Sequence, residues 1–520
     1  MSVKLLRILM VAPAVLVASA AHAQSSDKPP AETTDKLAAE PPPAEPTDKP
    51  AESRAEERSK ELTPPLTQPA RLTTLAAPVN PWFVRPSFVL SAGDAAPWKL
   101  TIYGFAEGDM MGDSTRSFND GLNSNVLAHN GTQAGDNARL QFTARNSRVG
   151  FKANAPEIGG IRSSGVLEFD LFGNQPTING AGGAGNTTEA AYFNNAAFRV
   201  RHAYVRLEDD YVDVVAGQAY HLLGWQNYFF GATCAFLGLP NELFNRTIQL
   251  RLSHTFGSDP VNFDVAAAAF RSVQRDSAIP DFEGGLRLAF NKWKGITTPG
   301  SGGTGALPAA IGLSALARAF KVNQYNAAAQ APGLTAMGWA AAGDVLIPII
   351  PVMDSTDRGN ALTLTGEGVI GQGDADQYTG MTAGANVPAN LPAPAGSAAG
   401  TTGAAYTPDI DPGLVAFTPS GGIQPIKWKS FLVGLQYYLP PTGRVFVSGN
   451  FSEGHSDNIA SLFPGSTKVF QSSLYADGNI FYDITPAARV GVSYQYVKQT
   501  FTDNTSAYNN RFEMTWLYFL

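Results

Sequence analysis

Arg251 sits between Leu250 and Leu252, and Arg287 between Leu286 and Leu288. Arg199 and Arg201 alternate with Phe198 and Val200, and Arg148 and Lys152 oppose Val149 and Phe151. In an extended chain, successive side chains leave opposite faces. Each stretch therefore carries one apolar and one cationic face. Rows of guanidinium groups do no covalent chemistry; they hold and steer anions. Glu168 and Asp170 alternate with Leu167, Phe169 and Leu171, so an acidic row exists as well. Glu107 and Asp109 are further acidic candidates. Arg145 and Arg148 differ in parity, so one of them needs a bulge or a place near a rim.

Catalysis has little to stand on. Gly454-His455-Ser456-Asp457 puts His beside Ser, on opposite faces of a strand. No H-E-x-x-H, C-x-x-C, G-x-S-x-G or phosphate-loop pattern occurs where it is needed. The reading is therefore no enzyme, no metal site and no cofactor. The net charge of −7 provides no polybasic surface for nucleic acid.

The charged faces need strands to carry them, and the chain end shows which kind. Phe512, Met514, Trp516, Tyr518 and Leu520 fall on alternate residues and share one face. An aromatic stripe of this kind suits a lipid-facing strand, with Trp and Tyr near the headgroups. After residue 20 no apolar run reaches the ~18 residues that a spanning helix needs. The chain has 52 Gly and 30 Phe, but only 16% charged residues. These features predict an all-β fold: a transmembrane antiparallel β-barrel of about 16 strands, preceded by a disordered Pro-rich N-terminal segment. A closed ladder also supplies stability that the lone Cys234 cannot supply by an internal disulfide.

Strands are predicted near 99–110, 138–154 (counted once), 162–173, 196–207, 211–220, 246–256, 261–271, 281–291, 309–322, 335–347, 358–371, 427–439, 443–453, 468–483, 487–501 and 508–520. Short turns fall at Glu208-Asp209-Asp210, Pro440-Pro441-Thr442-Gly443 and Thr485-Pro486. Long loops are expected at 111–137, 174–195, 221–245, 292–308 and 372–426. The stretch 221–245 is aromatic and nearly uncharged. Trp225, Tyr228, Phe229, Phe230 and Phe236 would be poorly placed on a water-exposed loop. Two placements are open: folded into the barrel as a constriction, or packed between protomers.

Lys4 and Arg7, the apolar run Ile8 to Ala20 and Ala21-His22-Ala23 read as a secretory signal peptide over residues 1–23. Residues 24–97 read as a Pro/Ala/Glu-rich periplasmic linker, with Pro41-Pro42-Pro43 and a repeated Thr-Asp-Lys at 34–36 and 47–49. Such a composition cannot bury enough apolar area to offset its ordering entropy. Peptidoglycan is a possible partner of this segment. Residues 98–520 form the predicted outer-membrane barrel.

Several stretches resemble the DcaP-like trimeric porins of Gram-negative outer membranes. They are Tyr103-Gly104-Phe105, Asn146-Ser147-Arg148-Val149-Gly150-Phe151-Lys152 and Glu168-Phe169-Asp170-Leu171-Phe172-Gly173. Arg201-His202-Ala203-Tyr204-Val205, Ala216-Gly217-Gln218-Ala219-Tyr220 and Asn245-Arg246-Thr247-Ile248-Gln249-Leu250-Arg251 follow in order. The resemblance covers roughly residues 98–290 and the final strand. It implies a sixteen-stranded barrel, a homotrimer in outer-membrane lipid and passive uptake of small, often anionic, solutes. The chain departs from the family in its Pro-rich segment, where members can carry a coiled coil, and in its ending Phe519-Leu520.

In this reading Arg145, Arg148, Lys152, Arg199, Arg201, Arg251 and Arg287 line a water-filled lumen and favour small hydrophilic anions. Glu168 and Asp170 face them from an opposed acidic wall. The competing expectation is a structural barrel that tethers the envelope to peptidoglycan through the Pro-rich segment.

Overall fold

Strict alternation of apolar and polar residues gives each strand an outward and an inward face, and sheet closure turns the inward faces into a lumen wall. A computed structural model describes residues 88–92, 98–122, 126–173, 196–224, 233–234, 238–274, 277–297, 305–322, 334–352, 358–379, 381–385, 396, 398–402, 410–417 and 422–520. The expected signal peptide and most of the Pro-rich segment lie outside the described residues.

The strands are β1 (Phe88–Ala92), β2 (Trp98–Asp113), β3 (Arg139–Thr143), β4 (Arg148–Asn154), β5 (Arg162–Gly173), β6 (Ala197–Glu208) and β7 (Asp213–Tyr220). Then come β8 (Arg246–Ser258), β9 (Val261–Phe270), β10 (Asp281–Thr297), β11 (Gly305–Val322), β12 (Leu334–Ile350) and β13 (Leu362–Gln372). A small hairpin, β14 (Val415–Phe417) and β15 (Ile423–Pro425), interrupts the longest connection. The ring resumes with β16 (Lys427–Tyr438), β17 (Val445–Ser456), β18 (Phe470–Asp483), β19 (Ala488–Phe501) and β20 (Ser506–Phe519).

Neighbours in the ring pair antiparallel, and β2 closes it on β20 from Phe105↔Phe519 to Asp113↔Arg511. On its other edge β2 pairs with both β3 and β4, which share one place in the ring. The result is a closed antiparallel barrel with sixteen strand places. Residues 144–147 part β3 from β4, and this break resolves the parity conflict between Arg145 and Arg148.

Two expectations are corrected. Linker was expected through residue 97, yet Phe88–Ala92 pair with β2 from Phe88↔Ile102 to Ala92↔Trp98. This strand extends β2's edge beyond the end of β20, where the Leu520 N–H donates to the Gly104 carbonyl at 2.9 Å. Five residues among prolines and alanines are too few to show a period. A long loop was expected at 292–308, but β10 continues to Thr297 and pairs there with Gly305. A register shift between Phe290 and Lys294 absorbs the polar Asn291-Lys292 break, and bulges of this kind keep a ladder running through irregular sequence.

The outer face is apolar. Leu250, Leu252, Leu286, Leu313, Phe431, Val433 and Leu435 are exposed there. The C-terminal stripe points the same way, with Phe512, Trp516 and Tyr518 exposed, while Glu513, Thr515 and Leu517 between them are buried inside. A cation on this face at mid-depth would cost about 2–4 kcal/mol. Among the described residues no helix is long and apolar enough to cross a membrane; here the strands do so.

Candidate functional site: the inner wall of the barrel

The inner wall is charged unevenly around the ring. From β4 to β8 the inner wall holds Arg148, Lys152, Arg162, Arg199, Arg201, Arg206 and Arg251, joined by Arg246, which reaches the Tyr220 hydroxyl that Arg201 also binds, against Glu168, Asp170, Glu208 and Asp213. That is eight cations against four carboxylates. In the neighbouring sector, β18 to β20 and β2, the balance reverses. Glu107, Asp109, Asp113, Asp477, Asp483 and Glu513 outnumber Arg489, Arg511 and the rim residue Lys99, six to three.

The basic sector owes its density to a bulge. Between β5 and β6 the register steps from Glu168↔His202 to Phe169↔Val200, leaving Arg201 as the extra residue. A bulge sends two consecutive side chains to one side, so Arg201 and His202 are both fully buried. The alternation then restarts out of phase, and Tyr204 and Arg206 also point inward. The sequence reading of Arg199 and Arg201 as inward holds. His202, Tyr204 and Arg206 were missed, although apolar Ala203, Val205 and Leu207 between them carry the shifted phase.

Glu168 and Asp170 do not form an opposed wall. They stand on β5, flanked by the basic strands β4 and β6, and bind the arginines directly. Arg201 Nε donates to Glu168 Oε1 at 2.7 Å, and its Nη1 to Asp170 Oδ2 at 3.1 Å. Arg199 grips Asp170 with Nε at 2.9 Å and Nη2 at 2.5 Å. Arg148 approaches Glu168 at 3.9 Å, and the Tyr103 hydroxyl donates to it at 2.9 Å. Forked pairs of this kind fix geometry as well as charge. The physical reason for the correction is adjacency: residues on neighbouring strands of one wall pair before they can face each other across a lumen.

The remaining candidates fall into place individually. Arg251 donates to Gln249 Oε1 at 2.8 Å and also to the Tyr220 carbonyl. Arg287 pairs with Asp264 at 2.5 Å on the adjacent β9. Arg145 leaves the ladder and pins Asp120 of the 114–138 connection at 2.9 Å. Lys152 keeps partial exposure on the inner wall. Arg246, absent from the sequence candidates, lies partly exposed over Tyr220 and Phe244, and it makes no ion pair among the described residues. Its parity hid it: at the start of β8 it shares the phase of Ile248, Leu250 and Leu252, which face outward.

The connection 221–245 enters the barrel. Trp225, Tyr228, Phe229, Phe230 and Phe236 lie outside the described residues, but the flanking chain is clear. The Leu222 N–H donates to Glu283 on β10, and the Gly224 N–H to Ser314 on β11. Cys234 is fully buried among Ala361, Tyr438, Phe446 and Phe481. On the way back, Asn241 reaches Ser452 on β17 and the Ser473 carbonyl on β18. The Leu243 N–H donates to Glu367 on β13. These contacts run from β10 round to β18, and Phe244 at the end of the connection packs on Tyr220 of β7. Leu223, Leu239 and Leu243 join Phe118, Tyr378, Met381 and Ile459 from other connections in an apolar cluster inside the wall. Each such side chain stabilises the inward fold by about 1.5–3 kcal/mol.

No protein-family model matches the chain, and no curated protein matches its sequence. Solved structures do match. The outer membrane channel DcaP of Acinetobacter baumannii aligns with a TM-score of 0.54 at 15% identity, over 82% of this chain and 99% of that one. An anion-selective porin from Comamonas acidovorans aligns at 0.43 and 10% identity, over 81% and 100%. The trimer form of OmpT from Vibrio cholerae aligns at 0.42 and 12% identity, over 81% and 99%. At that identity the likeness is one of fold, and the chain has a DcaP-like porin fold.

Proposed function

We propose that this barrel sits in a bacterial outer membrane as a homotrimeric porin and admits small hydrophilic anions by passive diffusion. The observation that carries this reading is the excess of four positive charges on β4–β8. This sector keeps Lys152, Arg199 and Arg246 partly exposed, while the inserted connection is bonded to β10, β11, β13, β17 and β18. An ion in a narrow lumen responds to charges within about 8–10 Å, because salt screens those further away. The local balance therefore outweighs the chain's total of −7. The DcaP-like fold supports a channel, and the sequence resemblance supports the trimer. Reversal potential across a KCl gradient in a planar bilayer tests the anion reading. Chloride preference is expected, and a wild-type pore that prefers potassium overturns it.

A further inference from the structure

The returning arm of the inserted connection closes on a buried cluster of three carboxyls. Asp344 on β12 and Glu367 on β13 stand directly opposite each other across the ladder, and both side chains are buried inside the barrel. Glu242, from the arm, is the third, 2% exposed. Its Oε2 accepts the Leu239 N–H at 2.6 Å, and Glu367 Oε1 accepts the Leu243 N–H at 2.9 Å. The outgoing arm presses on the same carboxyl. A Cβ on Gly224, which sits at φ +65°, would meet Glu367 Oε2 at 3.0 Å and Leu243 Cβ at 2.7 Å. Among the described residues Glu242 Oε1 and Asp344 Oδ2 have no hydrogen-bond partner.

Among the described residues no cation balances the cluster. Among the described residues none of the three carboxyls forms an ion pair. Arg318 on β11 is committed to Asp281 at 2.9 Å and Asp376 at 2.5 Å. The other ionisable neighbours are the Tyr378 hydroxyl, which is bonded to Ser430, and Asp374, which is itself buried without partners. Three negative charges in one buried site, with no ion pair among the described residues, repel one another strongly, so the docked arm requires protons on the cluster.

We propose that Glu242, Glu367 and Asp344 form a proton-dependent latch that docks the inserted arm onto β12 and β13 in acid and releases it as the medium becomes alkaline. The latch regulates the passage of the preceding reading and rests on it for its physiological meaning. Burial, and next the Glu367 carboxyl, push Glu242 well above the usual carboxylate range. A raised carboxyl favours the docked form fully below its free value near 4.3, and that advantage is lost as pH climbs through the raised value. Each unit of separation changes the docked-to-released ratio by about tenfold.

The conductance of the full chain in planar bilayers should differ between about pH 5 and about pH 9, on either side of the range in which a raised carboxyl titrates. Glu242→Gln with Glu367→Gln mimics the protonated cluster and should hold conductance at its acid value at both. A change that persists in the double variant, or a conducting wild type that is flat with pH, overturns the latch. Cys234 gives a second readout that needs no conduction, because it is the chain's one cysteine and is buried on the same connection. At a single alkaline pH a small uncharged thiol reagent should label wild type several-fold faster than Glu242→Gln. Equal rates overturn the latch. A barrel that never conducts, yet shows the labelling difference, refutes the porin reading and leaves the latch standing.

Discussion

The β4–β8 sector and the adjoining β18–β20 and β2 sector share strand geometry and burial but carry opposite charge, and they satisfy it differently. In the basic sector two carboxylates, Glu168 and Asp170, serve Arg148, Arg199 and Arg201, so positive charge is left over toward the lumen. In the acidic sector two arginines do the neutralising. Arg511 binds Asp113 at 2.8 Å and the Asp120 carbonyl at 3.2 Å, and Arg489 binds Asp483 at 2.6 Å. Glu107 and Glu513 are held by amides instead, Asn146 at 2.7 Å and Gln495 at 2.6 Å. The minority charge in each sector is tied up in pairs, and the charge that stays partly exposed is on the basic side, at Lys152, Arg199 and Arg246.

The largest effect should come from removing a minority charge's main partner. Arg201→Met strips two buried carboxylates of their best-placed cation and should cost about 3–5 kcal/mol of folding free energy, as breaking a buried pair does. Urea unfolding in detergent, followed by heat-modifiable gel mobility, measures it. Glu513→Gln, a change to the majority charge of the other sector, should stay within about 1 kcal/mol because Gln495 retains an acceptor. Equal losses in the two variants would break the comparison.

Selectivity should respond next. Arg199 and Arg246 are partly exposed, so Ser replacements there spare more of the fold than replacements at buried Arg201, Arg251 or Arg287. One charge at ~8 Å in water contributes about 0.5 kcal/mol, or roughly a factor of two in ion preference. The Arg199→Ser, Arg246→Ser double variant should therefore lower the chloride-to-potassium permeability ratio about fourfold, the product of two such factors. An unchanged reversal potential would place the selective charges elsewhere. In the acidic sector, Glu107→Gln with Asp109→Asn should move the ratio the other way by less than about twofold, since both carboxyls are buried away from the passage. A larger shift than that of the arginine pair would reverse the assignment of the two sectors.

The smallest effect belongs to β1, on the edge of β2 in the acidic sector. Deleting residues 24–87 should leave heat-modifiable mobility intact, because β1 and the ring remain. Extending the deletion through Ala92 bares the β2 edge at Trp98–Ile102 and should lower the unfolding midpoint slightly. Loss of the folded barrel in the shorter deletion would show that the Pro-rich segment takes part in assembly.

Most of the ring was legible because its code is local. Leu250-Arg251-Leu252 and Leu286-Arg287-Leu288 declare inside and outside with three residues, since lipid refuses charge on one face and the pleat has a period of two. The same rule located the C-terminal stripe and nearly every strand. It failed where the period slips. The bulge at Arg201 hid His202, Tyr204 and Arg206, and the ladder running through Asn291-Lys292 was taken for a loop.

What the sequence determined by itself, then, was the barrel, its inward arginines and the aromatic character of residues 221–245. Only the tertiary structure decided which charges meet. Glu168 finds Arg201 through the register of β5 on β6, and Glu242 finds Glu367, 125 residues along the chain, because the connection folds inward. Parity is set by each residue's immediate neighbours. Pairing depends on register, closure and loop insertion, which are properties of the whole ring.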